Sequence, residues 1–260
     1  MKFFNWLVAA IFLVFAVAAS IHFIRVFERS TAKRPEVTIT IPEGFTVYDI
    51  DRVLSNAFII RHGDLIVATG ANAAGSASSS VLEGKLLPDT YDFFIGSSAS
   101  SVIQKFLNNF NAKAEPLLAS DPKNAERNLI IASILQKEVA SSTDEAIVAG
   151  ILEKRLTIGM PLDVDATICY IKQQENPTST TGCYPLFAAD YKIDSPYNTY
   201  LHRGLPPAPI GNPGVEAITA ALHPQSSPYW YYLSDPKTGK TIYAVTLAEQ
   251  EANSNKYLNR

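Results

Sequence analysis

The chain has 260 residues, enough for one large domain or two small ones. Hydrophobic residues make up 47% of it and charged residues 18%, which excludes a disordered chain and is typical of a folded protein. The formal net charge is −3, and no run of Lys or Arg is longer than two. The clustered basic surface typical of nucleic-acid-binding proteins is therefore not indicated.

An apolar segment lies near the N-terminus. Residues 6–24 carry no charge, and about eighteen such residues are enough to span a bilayer as a helix. The pattern predicts a transmembrane anchor over residues 6–27, with residues 1–5 in the cytoplasm and residues 28–36 as a linker. The alternative is a signal peptide cleaved near residues 16–18. Either way we expect the rest of the chain outside the cytoplasm, although the basic residues that follow the span argue against this orientation.

The segment that follows predicts a small mixed unit. Alternating apolar and polar residues at 37–41 indicate a strand, and apolar residues at helical spacing over 47–54 follow Thr46, a candidate N-cap. A second short helix is predicted near Gly63, and an aromatic strand returns after it. Strand, helix, helix and strand make a compact unit over residues 37–96.

Residues 97–260 are predicted to be richer in helices and loops. A helix over about 100–118 precedes the most regular stretch, residues 125–140, which contains neither Gly nor Pro. Ser142 to Glu145 fits a capping box that opens the next helix. A proline-rich loop, a β-hairpin and a polar helix follow at residues 185–228, at 229–245 and from about 248. The predicted fold class is α+β.

Glu138 is the candidate catalytic acid. At about 100° per residue it lies above Ile131 and near Ile134, on the apolar face of the predicted helix. Burial there raises the pKa of a carboxyl group toward neutrality, which is the condition for a general acid at physiological pH. The alternative is a structural ion pair with Lys154 or Arg155 of the next helix.

The remaining polar residues give weaker indications of a functional site. The four histidines show no metal-ligand spacing, and there is no phosphate-binding glycine loop, so neither a metal nor a cofactor is indicated. Isolated acidic residues in loops or at strand ends are typical of turns and helix caps. Four acids of this chain fit that description: Glu83, Asp89, Asp165 and Glu216. A polar and aromatic group on a proline-framed loop suits a sugar ligand; it comprises Tyr197, Asn198, Tyr200, His202 and Arg203.

The two cysteines, Cys169 and Cys183, leave two readings open. In an exported chain a sparse pair can be oxidised to a disulfide. They can equally be two free, partly buried thiols. No histidine pairs with either in sequence, so neither is predicted to be catalytic.

Four segments, in order, resemble the endolytic murein transglycosylases of the YceG-like (MltG) family. They are the EG…PDTY strand at residues 83–91, the signature helix at 129–138, the LDVDAT segment at 162–167 and the PYNTY…GLPP loop with its following NPG at 196–214. The similarity runs from about residue 37 to the C-terminus. The last Glu of the signature helix is the catalytic residue of the family, and here it is Glu138. Many members carry Glu where this chain has Gln136.

The resemblance also implies an organisation. Residues 37–96 correspond to a LysM-like glycan-binding subdomain, and residues 97–260 to the catalytic domain. Members of the family are bitopic inner-membrane proteins with the catalytic domain on the extracytoplasmic side. The implied partners are peptidoglycan glycan strands and neighbouring peptidoglycan synthases.

The reaction implied by the resemblance needs a single carboxyl group and no cofactor. Glu138 protonates the bond between MurNAc and GlcNAc and then accepts the proton of the C6 hydroxyl, leaving a 1,6-anhydro end. The residues expected to bind substrate or support the developing charge are Tyr197, Asn198, Tyr200, Asp165 and Thr167. Two alternatives stay open: a non-catalytic, membrane-anchored glycan-binding scaffold, and a hydrolase that uses water.

Overall fold

The computed structural model describes Phe15 and residues 17–22, 34–71, 82–139, 141–177 and 182–258. Residues 17–22 are helical. Within the described part of the chain, no helix has the length and apolar character needed to cross a membrane. The predicted anchor over residues 6–27 lies largely outside the described residues. Residues Val37–Arg260 cluster into one compact unit.

The N-terminal elements of this unit follow the predicted order of strand, helix, helix and strand. They are β1 (Glu36–Thr40), α1 (Val47–Asn56), α2 (Asp64–Ala68) and β2 (Thr90–Phe94). The two strands form one sheet. The Thr38 hydroxyl donates to Asp92 at 2.5 Å and the hydroxyls of Thr40 and Thr90 lie 2.8 Å apart, so the strands run antiparallel.

Helix α1 begins where the sequence predicts. The Thr46 hydroxyl accepts from the amide of Asp49, and the Asp49 carboxylate accepts from the amide of Thr46, which completes a capping box. One face of the helix is fully buried in a hydrophobic cluster that also contains side chains of β2 and of the next helix. Its members include Val47, Ile50, Leu54, Phe93 and Phe106.

The rest of the unit is mainly helical and ends in a hairpin. Its elements are α3 (Ala99–Lys113), α4 (Glu115–Leu118), α5 (Ala125–Glu138), α6 (Ser142–Thr157), α7 (Asp165–Glu175), a 3₁₀ turn (Asp190–Lys192), α8 (Val215–Leu222), β3 (Tyr231–Ser234), β4 (Thr241–Ala244) and α9 (Leu247–Tyr257). The α+β class, the hairpin and the terminal helix are confirmed. Helices α7 and α8 were not predicted, and neither begins with a side-chain cap.

Helix α5 is the centre of the larger hydrophobic cluster. It packs against α6, α7 and α8, and Ile131, Ile134 and Leu135 are completely buried. Each such side chain contributes roughly 1.5–3 kcal/mol through burial. Packing on several sides thus fixes the position of the helix and of its last residue, Glu138.

The start of α6 differs from the prediction. Its N-cap is Ser141, which makes no side-chain capping bond, so the predicted capping box from Ser142 to Glu145 is wrong. Glu145 does not reach back to the helix terminus. Its side chain is instead buried, 4% exposed, against a cleft described below.

A disulfide joins Cys169 of α7 to Cys183. Of the two states that the sequence left open for these cysteines, a disulfide or two free thiols, the structure has the disulfide. The bond connects α7 to the loop that follows it, and both cysteines line a cleft beside α5.

Candidate active site

Glu138 lies at a meeting point of three elements. It is the last residue of α5, and its carboxylate accepts hydrogen bonds from the backbone amide of Ala166, in the first turn of α7, and from the hydroxyl of Tyr232 on β3. Ser234 Oγ donates to the Glu138 backbone carbonyl at 2.9 Å, which ties the hairpin to the end of the helix. The residue is partly buried.

The protein holds the pKa of Glu138 near neutrality. Burial of the carboxyl group is the main cause that raises it, and the negative charge of Asp165 adds to the effect. The amide of Ala166, the hydroxyl of Tyr232 and the charge of Arg155 act in the opposite direction. The balance places the pKa of Glu138 at about 7. Both the acid and the carboxylate are therefore available at neutral pH.

Asp165 lies near this carboxyl group, and Tyr200 is bonded to Asp165. The Tyr200 hydroxyl donates to Asp165 Oδ1 at 2.6 Å, and its ring packs edge-on against Tyr191. Burial, followed by the bond to Asp165, raises the pKa of Tyr200 above its ordinary value, so the hydroxyl remains a donor. Three of the residues singled out from the sequence, Glu138, Asp165 and Tyr200, are thus brought together.

The Arg155 side chain bonds to two backbone carbonyls near the site and forms no ion pair with Glu138. It is 5% exposed; its Nε donates to the carbonyl of Trp230 at 2.9 Å and its Nη1 to that of Leu162 at 2.8 Å. Lys154 donates to the carbonyl of Ser227. Among the ion pairs of the described residues, neither basic residue pairs with Glu138, so the structural ion pair considered from the sequence is not formed.

Three other predicted residues lie behind the site. Tyr197, Asn198 and Thr167 are fully buried. Asn198 donates to the carbonyls of Tyr191 and Ile193, and so holds the loop that carries Tyr200. Their burial favours a role in shaping this loop, and direct contact with substrate stays a prediction.

Glu138 lines one cleft, and its neighbours Lys137 and Ala166 line a second. The hairpin cleft, of about 470 Å³, is lined by Glu138 together with residues of α6 and the β3–β4 turn. The disulfide cleft, of about 460 Å³, is lined by Thr46, Asp49, Ala166 and the two cysteines, among others. A larger cleft of about 960 Å³ lies near Arg61 and is lined by none of the residues around Glu138, so size alone does not identify the site.

Glu145 is a site residue that the sequence did not reveal. It lines the hairpin cleft with Glu138, and its Oε2 is buried without a hydrogen-bond partner. Burial, followed by the charges of Glu43 and Glu216, raises its pKa to about 7. Its sequence neighbourhood resembled a helix cap, which concealed it. In the described part of the chain, no group of three or more His, Cys, Asp or Glu side chains is arranged to hold a metal.

Comparison with known proteins gives consistent similarities. The profile of the YceG-like family matches residues 14–256. A Bacillus subtilis protein named endolytic murein transglycosylase is 32% identical over 182 residues, 68% of this chain and 48% of that protein. A Streptococcus pneumoniae strain D39 protein of the same name is 28% identical over 248 residues, covering 85% and 45%. The chain thus spans about half the length of these curated relatives.

A solved structure is also similar. The crystal structure of a YceG-like protein from Listeria monocytogenes superposes with a TM-score of 0.65 at 29% identity. The match covers 89% of this chain and 80% of that one. The likeness therefore includes most of the fold described above.

Proposed function

This chain belongs to the YceG-like family, and from that premise we propose that it is an endolytic murein transglycosylase. It cleaves the bond between MurNAc and GlcNAc within peptidoglycan glycan strands, produces 1,6-anhydro-MurNAc ends and so terminates strand elongation. The observation that carries the proposal is the carboxyl group of Glu138, whose pKa of about 7 and position in the hairpin cleft, next to residues that line a second cleft, suit a general acid that acts on an extended strand.

The first step uses the protonated form of Glu138. Its proton passes to the glycosidic oxygen, the bond from that oxygen to C1 of MurNAc breaks, and the GlcNAc side leaves as an alcohol. Positive charge develops at C1, as in glycoside cleavage generally. Asp165, oriented by the Tyr200 hydroxyl at 2.6 Å, is the anionic group placed to stabilise that charge.

The second step uses the carboxylate that the first step leaves. It accepts the proton of the MurNAc C6 hydroxyl as that oxygen bonds to C1, which closes the anhydro ring and restores the acid. No water is consumed. In the carboxylate state the amide of Ala166 and the hydroxyl of Tyr232 donate to Glu138, so the intermediate form is stabilised without a cation pair.

The proposal extends to substrate binding and location. Residues 37–96 act as a LysM-like glycan-binding subdomain, which their order of strand, helix, helix and strand supports. The uncharged apolar run at residues 6–24 supports a single-pass anchor in the inner membrane, with the catalytic residues outside the cytoplasm. Peptidoglycan synthases are the partners that the family resemblance suggests. Membrane fractions should retain the 260-residue chain and release one that starts at residue 35.

Mass spectrometry of the products tests the reaction. Purified peptidoglycan is incubated with the 260-residue chain and with its Glu138→Gln variant, which keeps the size of the side chain and removes the acid. We expect 1,6-anhydro-MurNAc ends from the unaltered chain and none from the variant. Reducing ends heavier by one water would instead identify a hydrolase. Glycan binding without cleavage by either protein would identify a non-catalytic scaffold.

A further inference from the structure

Lys137 lies where the two clefts meet. Of the described residues that line the hairpin cleft, it is the one that also lines the disulfide cleft. It directly precedes Glu138 in α5. Ala166, whose amide donates to Glu138, also lines the disulfide cleft. A strand that occupies both clefts therefore passes Lys137 at the bond that Glu138 acts on.

Two glycines leave a narrow slot for the lysine side chain. A Cβ atom on Gly211 would lie 3.1 Å from Lys137 Cε and 2.7 Å from the carbonyl oxygen of Gly44. A Cβ atom on Gly44 would lie 3.8 Å from both Cδ and Cε of the lysine. The aliphatic part of Lys137 thus packs against backbone, and the side chain loses less conformational entropy when its ammonium group binds a ligand.

The Lys137 ammonium group is not held by an acid of the described part of the chain. Among the described residues its ammonium group forms no ion pair. Burial lowers the pKa of Lys137, and the charges of Asp49 and Glu83 raise it. Asp49 already accepts from Arg52 at 2.7 Å and from Gln173 at 2.9 Å. Glu83 is buried with a pKa of about 8, so it is mostly neutral at pH 7.

The disulfide-cleft side of Lys137 favours an anionic ligand, since Arg52 and Lys172 line that cleft with it beside Asp49. The hairpin cleft on its other side is acidic, with Glu43, Glu138, Glu145, Glu216 and Asp235 in its lining. The side chain is open to solvent within the cleft, yet the protein around it displaces enough water to lower its pKa. A cation that has lost part of its hydration and has no protein partner gains more from an incoming anion than a fully hydrated surface lysine does.

We propose that Lys137 binds a carboxylate group carried by the glycan strand, next to the bond that Glu138 acts on. This inference rests on the proposed function. The sugar rings of the strand are neutral, so its negative charges are carboxylates. They belong to the stem peptides or, where a peptide has been removed, to the lactyl group of MurNAc. Lys137 thereby sets the register of the strand across the two clefts and selects strands by their charge.

Equilibrium binding tests the proposal separately from cleavage. In the Glu138→Gln background, the chain with Lys137 is compared with its Lys137→Gln and Lys137→Arg variants. The probes are peptide-bearing strands, strands without peptides, and both kinds after their carboxylates have been converted to neutral amides. Lys137→Gln should weaken binding of carboxylate-bearing strands by about tenfold to a hundredfold and leave that of neutral strands unchanged. Lys137→Arg should retain most of the affinity.

Each outcome decides a specific point. If Lys137→Gln loses affinity only for peptide-bearing strands, the carboxylate that Lys137 binds belongs to the stem peptide. If it loses affinity only for peptide-free strands, the carboxylate is that of the lactyl group. A loss of affinity for both kinds of strand supports binding of either carboxylate. Equal losses on charged and neutral strands, or no loss, would overturn the proposal. Lys113→Gln is the control for net charge, since Lys113 pairs with Asp89 and lines neither cleft. The binding assay does not depend on cleavage. Absence of anhydro ends in the product analysis would therefore overturn the proposed function, and the measured effect of Lys137 on binding would remain valid.

Discussion

Replacing Tyr232 by Phe removes one hydroxyl group and keeps the ring that packs against the core. That hydroxyl donates to Glu138 and lowers the pKa of its carboxyl group. Burial is the main reason that the pKa of Tyr232 lies well above its ordinary value, so the tyrosine stays a donor across the working range. Its removal should therefore raise the pKa of Glu138 and move the alkaline limb of the pH–activity profile upward.

The size of the shift follows from the strength of one hydrogen bond to a charged group. Such a bond contributes about 1.5–3 kcal/mol, and one pKa unit corresponds to about 1.4 kcal/mol. A loss at the lower end of that range corresponds to a shift of about one unit, which is the shift we expect. At pH 8 the protonated fraction would rise from about one tenth to about one half, which raises relative activity about fivefold.

The assay is the release of anhydro ends between pH 5 and 10, with each variant normalised to its own maximum. Tyr229→Phe is the matched control, because Tyr229 stacks on Tyr243 and makes no bond to Glu138 among the described contacts. Its profile should coincide with that of the unaltered chain. An alkaline limb that stays in place or moves down in Tyr232→Phe would refute the reasoning.

Three further changes have expected outcomes. Asp165→Asn removes a negative charge that raises the pKa of Glu138, so the same assay should show the alkaline limb below pH 7. Glu83 has a folded pKa of about 8 against an ordinary 4.5, so stability should fall as pH rises between these values, and urea titrations of Glu83→Gln should show a flatter dependence. Reducing the Cys169–Cys183 bond, with a sequence separation of 14, should cost about 3 kcal/mol and lower the melting temperature by roughly 6–12 °C in calorimetry; an unchanged melting temperature would contradict this.

Local signals account for the elements that could be predicted. Helix α1 carries its own start signal in Thr46 and Asp49, and the hairpin has a turn between two aromatic strands. Helix α7 has no such signal: its N-cap is Val164, and it is placed by burial of residues such as Ile168 and Ile171. Its position depends on packing between distant segments, which no short stretch of sequence specifies.

The same limit applies to the site. The face of α5 that carries Glu138 could be predicted from helical periodicity, but the groups that set its pKa come from α7 and β3. Glu83 looked like a turn residue and is a buried carboxyl group that accepts from Val47, Tyr170 and Asn212. Residue type alone does not distinguish a buried carboxyl group from one in a surface turn. The difference lies in how much water the folded protein leaves around the group.

The bonds around Glu83 and Asn212 also bear on how the chain is made. Asn212 donates to Glu83 at 2.9 Å and to the carbonyl of Phe45 at 2.8 Å, across sequence separations of 129 and 167. Synthesis proceeds from the N-terminus, so α1 and the segment with Glu83 exist long before Asn212 is joined to them. Until then the Glu83 carboxyl group lacks a donor that it has in the native state, and leaving it unmatched in an apolar interior is costly. We therefore expect the packing around Glu83 to become complete only after the segment that contains Asn212 has been synthesised.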